Sequence, residues 1–422
     1  MRAAENAGRA RRASLTAYVA ERQGTLLEST RQLIGAASPN PPGDVTAVSR
    51  VAEALLRAIP GAQVQIHESA PGIRNLVAVV DSGRPGRRLC FNGHLDTFPI
   101  GEDLGWTFPP LGGVIDDGRL YGRGVSDMKG GMAASILAAA ALAGHRDAWS
   151  GHIVVTLAGD EENMGTLGSR WLLENVPQAQ ADAMVSGDVG SPLVARFGEK
   201  GLVWMDLEAS GKPGHGAHVH KGVNAIDRLR TALDELKAFE ELPVDAPPDI
   251  TTAISEASIV SEELSGAGES NTLQRVTVNI GVVAGGISPN LIPAAARAQV
   301  DIRLPVGVTT RSVEEELGRR LGRLEGISWQ VTNRWEPSYT PPDHEIIQRT
   351  LRAATEILGR RPVANMRVGA SDARIYRAFG IPSVVFGCTP FNMGGPDEHV
   401  LIDELVAVAQ VHALTAFGYL AA

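Results

Sequence analysis

Four short stretches place metal-binding and acid–base side chains directly after apolar runs. In Leu89-Cys90-Phe91-Asn92-Gly93-His94-Leu95-Asp96-Thr97 an apolar strand pattern runs straight into His94-x-Asp96. An imidazole is a common metal ligand, and ligands of open parallel sheets sit beyond the carboxyl ends of strands, where His94 falls. Asp96 is placed to accept the other imidazole N–H and fix the tautomer. Gly122-Arg123-Gly124-Val125-Ser126-Asp127-Met128-Lys129-Gly130-Gly131 is a glycine-dense loop that ends at a long apolar helix. Asp127 sits where a ligand loop meets that helix, or else caps it. The spacing is neither that of a dinucleotide loop nor of a P-loop. The run His152–Leu157 ends in Ala158-Gly159-Asp160-Glu161-Glu162. Adjacent side chains diverge, so one carboxylate can bind a metal while its neighbour stays free as a general base. Val185-Ser186-Gly187-Asp188 closes a fourth strand in an acid.

The elements that must position these residues are legible as periodicity. Helical spacing covers Leu26, Leu27, Leu33 and Ile34 and then Val51, Ala54, Leu55 and Ile59. Short β-type runs then alternate with helices up to about residue 190, which predicts a mostly parallel sheet with helices on both faces. From about residue 200 the texture is that of a small α+β unit, with strands over 202–209, 276–283 and 298–304, a helix over 223–239 and another over 312–324. After Pro341-Pro342 the first texture returns, with a helix from His344 to Leu358 and a last one from Ile402 to Tyr419. The expected organisation is a catalytic α/β domain in two parts, 1–200 and 333–422, interrupted by an inserted domain at 201–332.

Composition agrees with a globular protein: 422 residues, 44% hydrophobic and 21% charged. A net charge of −9 without long single-sign runs argues against a nucleic-acid or anionic-membrane surface. The longest apolar stretch, Met132 to Ala143, is too short for a membrane span, which needs roughly 20 residues. No apolar block follows Arg2, Arg9, Arg11 and Arg12, so a cytoplasmic location is expected. Cys90 and Cys388 are the only cysteines, so any metal must be held by histidines and carboxylates.

Together these segments resemble the co-catalytic metallopeptidases and deacylases typified by acetylornithine deacetylase, succinyl-diaminopimelate desuccinylase, aminoacylase and glutamate carboxypeptidase. The resemblance covers nearly the whole chain. It implies that His94, Asp127 and Asp188 hold one divalent ion, that Asp127 and Glu162 help hold a second, that Glu161 is the base and that Asp96 orients His94. Zinc, manganese and cobalt all suit such ligands. Gly211-Lys212-Pro213-Gly214-His215-Gly216-Ala217 resembles the family's lid motif, which makes His215 the oxyanion donor, commonly to a partner subunit's site, with His218 and His220 nearby. Ser288-Pro289-Asn290-Leu291-Ile292-Pro293, Asp301-Ile302-Arg303 and Gly369-Ala370-Ser371-Asp372-Ala373-Arg374 resemble the substrate-binding segments. Asn290, Arg303, Gly369 and Ser371 are therefore the implied substrate contacts, Arg303 facing a carboxylate. A homodimer or higher homo-oligomer through the inserted domain is implied in the same way.

One position departs from the family. Aligning on Pro396-Asp397-Glu398 puts Gly394 where the last histidine ligand is expected. Either His399 replaces that ligand, or the second ion is weakly held or absent.

The expected function is metal-assisted hydrolysis of an amide-type C–N bond in a small carboxylate-bearing molecule, by an N-acyl amino acid deacylase or small peptidase. A second reading is a hydrolytic deaminase of an aminoaromatic acid, of the 5-nitroanthranilate aminohydrolase kind. A third is a non-catalytic binding protein that kept the fold.

Overall fold

The computed structural model describes residues 2–101 and 105–421. Two sheets, each with its own hydrophobic core, dominate the fold. The larger has nine strands, and its centre carries the site. Arg88–His94 lies between His152–Ala158 and Ala183–Ser186 and is parallel to both, and Ser383–Val385 extends the parallel set beyond Ala183–Ser186. Beyond their first residues these strands are buried, which is why they read as continuous apolar runs rather than alternations.

Away from the centre the sheet is mixed rather than mostly parallel. Gln63–Ala70 and Ile73–Asp81 form an antiparallel hairpin, and Ile73–Asp81 is also antiparallel to His152–Ala158. On the other side Val194–Glu199 runs antiparallel to Ser383–Val385 and Ser338–Tyr339. Strand direction depends on the connection, and hydrophobic alternation carries none of that information.

Gly130–Ala143, the alanine-rich run, is buried on almost every side, between the central strands and the carboxyl-terminal helix Ile402–Leu420. Small side chains allow that close approach. An amino-terminal helix, Arg2–Glu21, seats Leu15 and Val19 in the same core, and Arg12 pairs with Glu356 across it. Among the described residues no helix is long and apolar enough to cross a membrane.

The second sheet has four antiparallel strands, in the order Thr277–Gly285, Ala295–Leu304, Gly201–Ser210, Ile327–Trp335. Alternate residues of Ala295–Leu304 are buried, as one-sided cover demands. Helices Ala225–Lys237 and Thr310–Leu321 supply that cover, and Leu207, Leu229, Leu236, Ile302, Val313 and Leu317 share its core. The sequence between these elements also holds helices that periodicity missed, Pro248–Ser265 and Glu269–Gln274. Their many Ser and Thr residues are weak helix formers, so the helices depend on packing. Ile250, Ile254 and Leu273 join the core of the larger sheet, not that of the smaller.

Candidate metal centre

The strand Arg88–His94 delivers His94 to the carboxyl edge of the large sheet, where the ring is almost wholly buried. Its Nδ1 donates to the Asp96 carbonyl oxygen at 2.8 Å. That bond leaves Nε2 as the ring atom that faces Asp127 Oδ1, 3.0 Å away, and is open to a metal in place of the proton. The orienting group is thus the main chain of Asp96. Its carboxylate, expected to take this role, is 3.6 Å from Nδ1 and does other work. It accepts the backbone N–H groups of Glu161 and Glu162, at 3.1 and 3.0 Å, and the Asn40 amide at 2.9 Å. Asp96 therefore ties the His94 strand end to the turn that carries the two glutamates.

The glycine-rich loop is anchored from far along the chain. Glu398, fully buried, accepts from the backbone of Gly124 and Ser126 and from the Ser126 hydroxyl, and pairs with Arg123 at 2.7 Å. Gly124 has a φ of 76°, which lets the loop turn toward the site. Asp127 leaves the helical conformation altogether (φ −130°, ψ 88°), so it does not cap the following helix and its carboxylate turns to His94.

His94, Asp127 and Asp188 each offer a ligand atom, and these atoms all lie within 4.8 Å of one another. Glu162 is close enough for its charge to act on them, and its buried Oε1 has no hydrogen-bond partner among the described residues. Burial pushes the carboxyl groups of Glu161, Glu162 and Asp188 up; the Asp127 charge adds to this for Glu162 and Asp188, and that of Asp372 for Glu161. A buried cluster of acids with an orphaned oxygen is short of positive charge, and a divalent ion on histidine and carboxylate donors supplies it. Arg367 compensates part of it, 3.3 Å from Asp188.

Glu161 stands at this centre with its Oε1 3.4 Å from Arg374 Nη1. Arg374 belongs to the Gly369–Arg374 segment but carried no assigned role from sequence. Its guanidinium also donates to the Ser371 carbonyl at 2.7 Å and lies over Trp335. Ser371, expected to contact substrate, is fully buried, and its hydroxyl and N–H both donate to Glu199. Gly369 flanks the Arg367 side chain.

His399 is not part of the metal group. Its ring stacks on Phe391 with centroids 4.9 Å apart, packs against Tyr121, and donates from Nδ1 to the Asp397 carbonyl at 2.9 Å. It lies in a strand paired with Arg119–Tyr121, whose register sets its ring among aromatics, outside the trio whose possible ligand atoms converge. At Gly394 the chain contributes a carbonyl to Arg123, and Phe98 is the nearest neighbour of the absent side chain.

The remaining candidates lie on the small sheet. Arg303 is ion-paired with Asp301 at 2.9 Å, near the strand end that joins the large sheet. Asn290 and His215 sit at the opposite end. The Asn290 carbonyl accepts from Gly216, His215 pairs with Leu291, and its Nδ1 accepts from Ala217. Eight residues of strand separate Ala295 from Arg303, about 26 Å at roughly 3.3 Å per residue. One small sheet therefore does not bring Arg303 and His215 to the same place. His218 and His220 pack on one another beside His215.

Residues 90–417 match the profile of peptidase family M20/M25/M40. The chain is 32% identical over 367 residues to a succinyl-diaminopimelate desuccinylase of Roseobacter denitrificans, covering 83% of this chain and 88% of that one. Among solved structures, human carnosine dipeptidase 1 superposes with a TM-score of 0.76 at 17% identity, over 97% of this chain and 98% of its own. A dinuclear metal-binding peptidase of Bacillus subtilis superposes with a TM-score of 0.65 at 15% identity, over 94% and 98%.

Proposed function

The chain belongs to peptidase family M20/M25/M40, and on that footing we propose that it removes an acyl group, succinyl or similar, from the amino nitrogen of a small carboxylate-bearing molecule. At the coarser level it is a metal-dependent hydrolase of amide bonds in small substrates. The observation that carries the hydrolase reading is the trio His94, Asp127 and Asp188, with Glu161 beside it paired to Arg374; the succinyl reading is supported by the similarity to desuccinylases. The deaminase reading is not favoured, because the relatives are desuccinylases and peptidases. A binding protein has no use for so many acids gathered around one buried histidine.

When bound, the ion supplies Lewis acidity that polarises the acyl oxygen and makes water a competent nucleophile near neutral pH. Glu161 takes the proton from the attacking water and returns it to the leaving nitrogen. Arg374 and the Asp96-bound turn hold Glu161 in place for both transfers. Glu162 helps hold a second ion with Asp127. Without a histidine at Gly394 that second position is the weaker one.

Arg303 and Gly369 are proposed to meet the substrate of the chain's own site, and Asn290 and His215, at the other end of the small sheet, that of a partner subunit, where His215 donates to the oxyanion. Support for a homodimer comes from the small sheet. Thr277–Gly285 is an edge strand with Val282 and Val283 exposed at 43% and 58%, and Ile287 beyond it is 92% exposed. The division at 201–332 and a cytoplasmic location belong to the same proposal.

The test is release of free amine from a panel of N-succinyl and N-acetyl amino acids and dipeptides, with and without chelator. Chelator-sensitive hydrolysis of at least one class is expected. Chelator-insensitive turnover, or ammonia release from aminobenzoates alone, overturns it.

A further inference from the structure

Arg367 brings a full positive charge against a candidate metal ligand. It is the last residue of the strand Val363–Arg367, which runs parallel to Val194–Glu199 in the large sheet. Its Nη1 lies 3.3 Å from Asp188 Oδ1, and the two side chains are only 15% and 4% exposed. Nη1 also donates to the Val189 carbonyl at 3.4 Å. The charges of Glu199, Asp127 and Glu161 act on the guanidinium as well. Glu199 is engaged elsewhere: it accepts from the Ser371 N–H and hydroxyl and faces Arg377 at 3.7 Å.

Each acid of the centre can be matched to what compensates it. The Asp96 carboxylate takes three N–H donors, Glu161 faces Arg374, and Asp188 faces Arg367. Asp127 faces His94, whose ring is uncharged when it serves as a ligand. Glu162 has no basic partner among the described residues, and its Oε1 is the orphaned oxygen. Asp127 and Glu162 together carry the charge that one divalent ion balances. Arg367 is thus a cation already seated on a member of the trio. Like charges a few ångströms apart repel, and solvent screens a buried pair little. An ion that takes Asp188 meets that repulsion and a carboxylate already neutralised.

We propose that Arg367 is a resident cation of the metal centre, which neutralises Asp188 and lowers the affinity of His94, Asp127 and Asp188 for a divalent ion. This rests on the reading that the trio holds an ion. A side chain that merely orients a ligand has the opposite effect, since its loss loosens the site. Asp188 is oriented without Arg367: its Oδ1 accepts the Val189 N–H, and its own N–H donates to the Ser186 hydroxyl at 3.2 Å. Removing the guanidinium leaves those bonds and deletes the charge.

The test is titration of the metal-free full chain with zinc against a competing chelator of known affinity, at one pH and ionic strength, for the wild type, Arg367→Gln and Arg367→Lys. Arg367→Gln is expected to bind its first zinc about tenfold or more tightly than the wild type. Arg367→Lys keeps the charge and is expected to stay within about threefold of the wild type. Equal or looser binding in Arg367→Gln overturns the proposal. Arg367→Lys binding as tightly as Arg367→Gln overturns it too, because charge is then not the cause. If Arg367→Gln does not fold, Arg367→Met, uncharged and of similar length, decides by the same criterion. Absence of zinc binding in every protein would overturn the metal-centre reading itself, whereas equal affinities overturn this proposal alone. The titration needs no turnover, so it is also distinct from a failure of the proposed hydrolase activity.

Discussion

Asp96 Oδ1 accepts the backbone N–H of Glu161 at 3.1 Å, so the residue two places after His94 positions the proposed general base through the main chain. Asp96→Asn puts an amide in place of a carboxylate that accepts three N–H groups. We expect kcat to fall about 10- to 100-fold while one ion is still bound. Steady-state kinetics with metal analysis on the same preparation checks this. Unaltered kcat would remove the positioning role.

Glu161→Gln keeps the shape and the Asp96 contact but deletes the base. Turnover should fall by about 100-fold or more with metal content and unfolding midpoint held. A kcat within a few-fold of wild type would show that another group moves the proton.

Metal stoichiometry follows from Gly394 and His399. Extensive dialysis of the loaded protein should leave one tightly held ion per chain, on His94, Asp127 and Asp188, with a second bound only at raised concentration. Glu162→Ala should abolish the weaker binding and spare the tighter. Two ions of equal affinity in the dialysed protein would count against this assignment.

Gly131, the second residue of the buried helix, touches Gly187 directly. A Cβ at Gly131 would lie 1.8 Å from the Gly187 carbonyl oxygen, a backbone atom that cannot yield without moving Asp188. Gly131→Ala is expected to cost about 1–3 kcal/mol of stability and to weaken metal binding. Denaturant unfolding and metal titration read the two effects separately.

His412 gives the fold a pH dependence independent of the metal. Its Nε2 donates to the Phe386 carbonyl at 2.7 Å and Nδ1 accepts from Ser135, and burial pushes its pKa from 6.5 down to about 4. Between these values the unfolded chain binds a proton that the folded chain excludes. Stability from this residue therefore rises with pH across that window and is lost as pH falls from about 6.5 to about 4, by at most about 1.4 kcal/mol per pH unit. Denaturation midpoints of chelated wild type and His412→Gln should converge as the pH is lowered through it. Parallel curves would exclude the effect.

The amino-acid order alone pointed to the family, the central strands and the trio His94, Asp127 and Asp188, whose possible ligand atoms converge. Each ends an apolar run or a glycine loop, and a strand that must be buried leaves its last residue at the sheet edge, so local pattern sufficed. It also showed the missing histidine at Gly394. Tertiary structure decided what the neighbours do. Glu398 reaches back 275 residues to hold the Asp127 loop through Arg123. Asp96 turns its carboxylate to the Glu161 turn and only its carbonyl to His94, and a one-strand register places His399 among aromatics. Arg374 and Arg377 share a short helix, yet their Nη1 atoms meet Glu161 and Glu199, contributed by distant strand ends. These outcomes depend on contacts between segments hundreds of residues apart, and no local periodicity or motif spacing encodes them.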